Sequence, residues 1–371
     1  MSLLGLHHIT MICANARRTV DFYTRTLGLR LVKKTVNFDD PGSYHLYFGD
    51  AVGRPGTLLT FFEWGQLHQG QPRVPRGQWG IGTTHHVALL VETDDAQLKW
   101  KRWLTDHGLI VTGPYDRRYF RSIYFTDPDG ILLEVATRGA GFAVDEPPDR
   151  LGTTSITPPT ELTRRGRDES KIASVNWPEP VPALTDDMRI GGLHHITAIA
   201  SDVERTAAFY TETLGLSTVK KTFNFDDTAA PHYYFGIDRG TPGTLVTYFG
   251  YNEAAMRRGR MGAGLTHHFA FAVESLERQE EWRERLLSQG TRVTPVLDRK
   301  YFKSIYFSDP DDHILEIATV GPGFLVDEDE ATLGTRLTLP EWLETRRPTI
   351  EASLTTPNSP VEKSGPNALQ P

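Results

Sequence analysis

The chain of 371 residues contains one cysteine, Cys13, which excludes an intramolecular disulfide and any cysteine-rich zinc site. Positive charge is not in excess either. Lys and Arg number 40 against 47 Asp and Glu, the net charge is -7, and no basic block occurs, so nothing points to nucleic acid. No apolar run approaches the roughly 20 residues needed to span a bilayer. The opening MSLLGLHHIT lacks the basic start and long apolar core of a signal peptide. Together these absences predict a soluble, cytoplasmic globular protein of two or three domains, with neither a membrane nor a nucleic acid as partner.

Histidine, by contrast, is arranged unusually. Eight of the 13 histidines fall in adjacent pairs: His7-His8 and His194-His195 in two copies of GLHHIT, His85-His86 in THHVA, and His267-His268 in THHFA. The surrounding text repeats as well. TVDFYTRTLGLRLVKKTVNFDD matches TAAFYTETLGLSTVKKTFNFDD, and DRRYFRSIYFTDPDGILLEVAT matches DRKYFKSIYFSDPDDHILEIAT. Such internal similarity is the mark of a duplicated domain.

Each half divides again. A strand-like run at Leu6 to Cys13 precedes a helical pattern from about Asn15 to Leu27, with Asn15 as N-cap and Gly28 as stop. Three β-rich runs follow: RLVKKTVNF, YHLYFG and GTLLTFFEW. The order strand, helix, three strands recurs near residues 5–65, 82–138, 192–250 and 264–320. The predicted class is α+β, four βαβββ modules paired into two homologous domains whose curved mixed sheets enclose metal-binding cavities. The expected division is 1–146, a tail and linker at 147–188, a second domain at 189–349, and a disordered tail at 350–371.

Side chains alternate across a strand, so one histidine of each pair is expected to face the cavity. In HHVALLV the set His85, Val87, Leu89 and Val91 suits a helix, which leaves His86 inward, and by the same register His8, His195 and His268. A lone carboxylate sits in each final strand, Glu134 in ILLEVAT and Glu316 in HILEIAT. Among Leu, Ile and Val it is costly unless paired or bound to a metal. The first and third modules place Thr60 and Thr247 at the matching positions. Two sets of two imidazoles and one carboxylate result, a donor set that suits Fe(II) with room for a substrate and O2.

These residues resemble the vicinal-oxygen-chelate superfamily of paired βαβββ modules, and within it the ring-cleaving dioxygenases of the hydroquinone type. The resemblance covers residues 3 to 345 and rests on LHHIT, LVKKTVNFDDPGSYHLYFGD, GAGLTHHFAF and DRKYFKSIYFSDPDDHILEIAT. It implies an Fe(II)-dependent enzyme that opens a small aromatic diol with O2. It also implies His8, His268 and Glu316 as metal ligands, and His7, Thr10, Arg299 and Tyr306 as pocket residues. Such proteins keep one complete triad, whereas here His195, His86 and Glu134 form a second. Its pocket counterparts His194, Thr197, Arg117 and Tyr124 are also present. Two metal sites per chain are therefore expected, one joining modules one and four and the other joining three and two.

His7 and His194 are expected to point away from the cavity and VKKTVNFDD to be a solvated strand end, while Arg117 and Arg299 are expected either to offset negative charge developing on the substrate or to pair with Asp116, Asp298 or neighbouring loops. His45 and His232 are further pocket candidates. The competing functions are a glyoxalase-like isomerase or lyase, which would recruit a fourth protein ligand where Thr60 and Thr247 stand, an extradiol catechol dioxygenase, and a non-catalytic small-ligand binder.

Overall fold

The structure, a computed structural model, describes residues 2–64, 67–68, 71–72 and 74–354. The first module comprises β1 (Leu6–Cys13), α1 (Ala16–Asp21), β2 (Arg30–Val36), β3 (Tyr44–Gly49) and β4 (Leu58–Glu63). A short hairpin follows, β5 (Leu67–His68) and β6 (Gln71–Pro72). The second module has β7 (Thr84–Val91), α2 (Asp94–Asp106), β8 (Thr112–Asp116), β9 (Arg121–Thr126) and β10 (Leu132–Thr137), and the connection to the third carries α3 (Glu169–Ser174). The third has β11 (Leu193–Ala200), α4 (Val203–Ala208), β12 (Ser217–Phe223), β13 (Pro231–Gly236) and β14 (Leu245–Gly250). The fourth has β15 (Thr266–Val273), α5 (Leu276–Ser288), β16 (Leu297–Asp298), β17 (Lys303–Ser308) and β18 (Ile314–Thr319). Helices α6 (Glu341–Glu344) and α7 (Arg347–Leu354) close the described chain. None of the described helices is long and apolar enough to cross a membrane.

The modules combine across the duplication. One eight-stranded sheet runs β16-β17-β18-β15-β1-β4-β3-β2 and joins modules four and one; the other runs β12-β13-β14-β11-β7-β10-β9-β8 and joins three and two. Each sheet is mixed: β1 lies parallel to β4 and antiparallel to β15. One hydrophobic cluster covers the helix-facing sides of both sheets, with Ile9, Phe61 and Phe271 from one and Val87, Leu133 and Ile196 from the other.

The helical segment after β1 begins as the sequence predicts, with Asn15 Oδ1 accepting from Arg18 N–H at 2.9 Å. It is α-helical only to Asp21 and then widens into a π-turn over Phe22–Thr26. The same change follows α4 over Phe209–Thr213. At the far end, Ile350 and Leu354 are spaced one helical turn apart and bury beside Val36, Leu339 and Leu343, so ordered helix extends into the segment expected to be a disordered tail. The rest of that expectation, 355–371, lies outside the described residues.

Candidate metal centres

The sheet register explains why the histidines are doubled. Along β1, Leu6 pairs with Phe271 and His8 with Ala270, so His7 is an extra residue; further on, Thr10 pairs with His268 and Met11 with Thr266, which makes His267 extra on β15. A β-bulge of this kind breaks strict alternation. Leu6, Ile9, Met11 and Cys13 all stay in the helix-facing core while His7 and His8 together face the concave side. His194 and His85 are the extra residues at the other β11–β7 seam. The expectation that one ring of each pair points away is thus overturned for His7, His194, His85 and His267, because the bulge turns both neighbours the same way.

The inward rings then meet edge to edge. Nδ1 of His7 lies 2.9 Å from Nδ1 of His8, and the other three pairs repeat this contact at 2.7 to 2.8 Å. One nitrogen of each contact must carry the hydrogen. If His8 Nδ1–H donates to His7, the His8 Nε2 lone pair is free, and His7 carries its hydrogen on Nε2, which lies 3.2 Å from the Thr319 carbonyl. Each doublet is thus one candidate ligand with its own orienting neighbour. Burial, reinforced by repulsion from His8, pushes His7 down to about 3, and burial first of all lowers His86 and His267 to about 3 and His194 to about 4. These rings are neutral, as metal-directed imidazole requires.

A small residue brings the carboxylate in. His8, Ala270 and Glu316 occupy one row across β1, β15 and β18, and Ala270 leaves the space over which the outer two side chains converge. His195, Ala88 and Glu134 repeat the row in the other sheet. His8 Nε2 and His268 Nε2 are 3.2 Å apart, and they lie 3.2 and 2.9 Å from Glu316 Oε2. In the second group the separations are 3.1 Å between His86 and His195, and 2.9 and 3.5 Å from these to Glu134 Oε2. Among the described residues these are the two groups whose donors converge as metal ligands would.

The donor set fits a metal. Both carboxylates are 0% exposed, and Oε2 of each faces imidazole nitrogens with no hydroxyl or backbone N–H donor, an arrangement that a bound cation would complete. The other oxygen is fixed by a hydroxyl, Ser122 Oγ donating to Glu134 at 2.6 Å and Ser304 Oγ to Glu316. Burial disfavours ionised Glu316, yet His8 and His268 hold its carboxyl well below the usual range. With bonds of about 2.1 Å, donors at right angles stand about 3.0 Å apart and tetrahedral ones about 3.4 Å. The separations in both groups, 2.9 to 3.5 Å, span these values, so each group can close on one divalent ion.

The expected pocket residues surround these donors. Thr10 Oγ1 is 2.7 Å from Thr60 Oγ1, and Thr197 Oγ1 is 2.7 Å from Thr247 Oγ1 and 2.9 Å from His86 Nε2. The Tyr306 ring stands edge-on to His268 at 5.5 Å, with the Arg299 guanidinium 5.3 Å from the Tyr306 centroid. Tyr124 and Arg117 repeat this beside His86, and Arg117 Nη2 is 3.5 Å from Tyr124 Oη. Burial raises both tyrosines, so each keeps its proton. Phe302 and Phe120 lie against the His7-His8 and His194-His195 pairs.

A family model described as the Glyoxalase/Bleomycin resistance protein/Dioxygenase superfamily matches residues 5–135 and 192–317. The chain belongs to this superfamily. Among its relatives, MhqO of Bacillus subtilis (strain 168), named as a ring-cleaving dioxygenase, is 33% identical over 95% of this chain and 96% of its own. Chlorohydroquinone/hydroquinone 1,2-dioxygenase of Sphingobium indicum is 29% identical over 92% of each chain. A crystal structure described as a dioxygenase from Bacillus subtilis superposes with a TM-score of 0.73 at 32% identity, covering 96% of this chain and 97% of that one. Glyoxalase I from Zea mays shares the fold at a TM-score of 0.56 and 15% identity, over 85% of this chain and 92% of its own.

Within this superfamily fold, several expectations about charged residues are corrected. Arg299 pairs with Asp39 at 2.9 Å and Arg117 with Asp226 at 2.8 Å, rather than with Asp298 and Asp116. Those two acids instead take Lys303 and the Arg118 N–H. Asp39 and Asp226 belong to the repeated NFDD, read as a solvated strand end. The repeat of that motif was the available signal for a site role. Lys33 and Lys220 of the same VKK runs are also not solvated. A register shift in β2 and β12 turns each inward, where it is 0% exposed and pairs with Asp327 and Glu328, or with Asp145 and Glu146. Arg167, in the connection before β11, went unnoticed in the sequence; it lies 2.5 Å from Asp226 and packs its guanidinium on Tyr115 at 4.1 Å. Its counterpart by repeat is Thr349, so no duplicated signal marked it.

Proposed function

We propose that the chain is an Fe(II)-dependent dioxygenase that opens the ring of a small dihydroxylated aromatic, a hydroquinone in the first instance, with O2. In this reading each chain carries two metal centres, His8–His268–Glu316 and His195–His86–Glu134. The observation that carries the proposal is a three-donor face of two imidazoles and a buried carboxylate, with a threonine where an isomerase would recruit a fourth protein ligand. The ring-cleaving and hydroquinone-directed names of full-length relatives support the same substrate class.

A ferrous ion on such a face supplies Lewis acidity to a substrate hydroxyl and a neighbouring position for O2. The chain's own residues do the rest. His7 and His267 fix the orientation of the ligand rings, and Ser304 fixes that of Glu316. Tyr306, kept protonated by burial, donates a hydrogen bond to substrate oxygen, and Arg299 over its ring offsets negative charge that develops nearby. Phe62, stacked on Trp64 at 4.9 Å and edge-on to His267, forms an aromatic wall that receives a flat ring and excludes water.

The test is O2 uptake by anaerobically Fe(II)-loaded protein with hydroquinone, with catechol and without substrate, beside a zinc-loaded control. Iron-specific uptake with hydroquinone and loss of ring absorbance is the expected result. Uptake with catechol alone would move the enzyme to the ortho-diol branch. No uptake with either diol at full iron loading would remove the dioxygenase reading and leave the isomerase as the alternative to test.

A further inference from the structure

We infer that Thr60, His45 and Tyr47, and in the second site Thr247 and His232, form a proton relay that takes up the proton of a metal-bound substrate hydroxyl through Thr10 or Thr197. The inference rests on the proposed function and adds to it a destination for the proton.

The sheet register sets the relay out. Tyr47, Thr60, Thr10 and His268 form one row across four strands, and Tyr306, Glu316, Ala270 and His8 form the row related to it by the internal pseudo-symmetry. Thr60 therefore stands where the other half of the same sheet has the ligand Glu316. Its hydroxyl serves hydrogen bonding instead. Thr10 Oγ1 to Thr60 Oγ1 is 2.7 Å, Thr60 Oγ1 to His45 Nε2 is 3.0 Å, and His45 Nδ1 to Tyr47 Oη is 2.9 Å. The second site repeats the core of this chain, with Thr197 to Thr247 at 2.7 Å and Thr247 to His232 Nε2 at 2.9 Å. There the near end touches the donor triangle, because Thr197 Oγ1 is 2.9 Å from His86 Nε2. Position 45 is related by the pseudo-symmetry to Ser304, which donates to Glu316. Each half of the sheet thus supports its inner residue from this position, a serine behind the carboxylate and a histidine behind the threonine.

Protons balance along the chain. The substrate O–H breaks and its proton goes to Thr10 Oγ1, the Thr10 hydrogen passes to Thr60 Oγ1, and the Thr60 hydrogen passes to His45 Nε2. The transfer would leave the substrate oxygen as a phenolate and His45 as an imidazolium, whose Nδ1–H donates to Tyr47 Oη. Reversal of the sequence returns a proton to the ring-opened product. Burial holds His45 and His232 well below the ordinary histidine range, so both begin neutral with one lone pair available. The same burial makes the imidazolium short-lived, which suits a relay rather than a proton store.

The experiment uses the full chain loaded with zinc, which has no redox chemistry and so does not turn a diol over. Chlorohydroquinone is mixed rapidly with the protein under argon at fixed pH, and the growth of the phenolate absorbance of the bound diol is timed in the wild type, the H45Q/H232Q double variant, T60V/T247V and T60S/T247S. In the wild type and the serine variants the phenolate is expected to form at similar rates. In the histidine and valine variants the rate is expected to fall by about tenfold or more, with affinity for the diol changed less than threefold. Binding with an unchanged rate in both H45Q/H232Q and T60V/T247V would overturn the relay alone. Failure of the wild type to bind any aromatic diol would overturn the relay and the substrate class together.

Discussion

His7 and His8 touch through their Nδ1 atoms at 2.9 Å, and the His7 Nε2 behind this contact faces the Thr319 carbonyl at 3.2 Å. In the proposed centre that arrangement would make His7 an orienting residue for His8 rather than an acid or base for substrate, since both of its nitrogens are engaged. His7→Phe keeps a ring on the bulge and removes the acceptor. The expected outcome is a 10- to 100-fold loss of metal affinity at that centre, of the order found for outer-shell partners of histidine ligands. Competition with a chelator in an E134Q background, which silences the other centre, measures it. Unchanged affinity would show that the doublets do not set the ligand tautomer.

The two donor groups share no residue, so they are expected to load independently. Wild-type protein should bind close to two divalent ions per chain, E316Q and E134Q close to one each, and the double variant close to none. Metal analysis after anaerobic loading and desalting gives the count. A wild-type value near one would remove the two-centre proposal while leaving the first centre intact, and the single variants would identify which group had bound.

Buried charge predicts a large contrast between two ion pairs. Lys33 is 0% exposed and pairs with Asp327 and Glu328, whereas Asp39, the partner of Arg299, is 70% exposed. Lys33→Met takes the close cation from Glu328, which is 0% exposed, while Asp327 keeps Lys300, and uncovering a buried carboxylate in this way costs about 3–5 kcal/mol. Asp39→Asn breaks a solvent-screened pair worth about 1 kcal/mol at most. Urea unfolding of the two variants beside the wild type tests the contrast. Similar losses in both would mean that solvent reaches the Lys33 cluster.

The duplication, the module order and the six residues whose donors converge in two groups were legible in the sequence because each rests on period and repetition. Strand alternation marked His8 and Glu316, and the offset between halves carried both to the second site. What strict alternation missed was the bulge at His7, whose one trace in the strand itself is the three-residue step from Leu6 to Ile9 before the two-residue steps to Met11 and Cys13. The pairings of Arg299 with Asp39 and of Lys33 with Asp327 were hidden for another reason. They join the first module to the fourth and to the segment that follows it, across 260 and 294 residues, and become visible only once the sheet is known to cross the halves. Arg167 had the weakest signal of all, being present in one half only.

Asp127 and Asp309 occupy equivalent positions at the start of the last hairpin in their modules, yet their acidities shift in opposite directions. Asp309 faces His313, with Nδ1 at 3.0 Å from Oδ2. Burial opposes its ionisation, but this imidazole and the Tyr248 hydroxyl hold it below the usual range. Asp127 has Ile131 at the histidine position, and burial followed by repulsion from Asp129 raises it to about 7. The sign follows from proton linkage. A carboxyl whose folded pKa exceeds its unfolded value contributes stability that is full below about pH 4 and is lost as pH rises to about 7. D127N preserves an oxygen for the Asp129 and Ile131 N–H groups, which Asp127 Oδ1 accepts at 2.9 and 2.8 Å, and removes the titration. The wild type is therefore expected to lose stability relative to D127N between pH 5 and pH 8, by up to a few kcal/mol. Other titrating groups, including the buried neutral histidines, cancel in this difference. Urea unfolding of both proteins at the two pH values is the measurement. A constant gap would mean that Asp127 stays ionised in the fold, held by the three hydrogen bonds from Ile131, Asp129 and Tyr23.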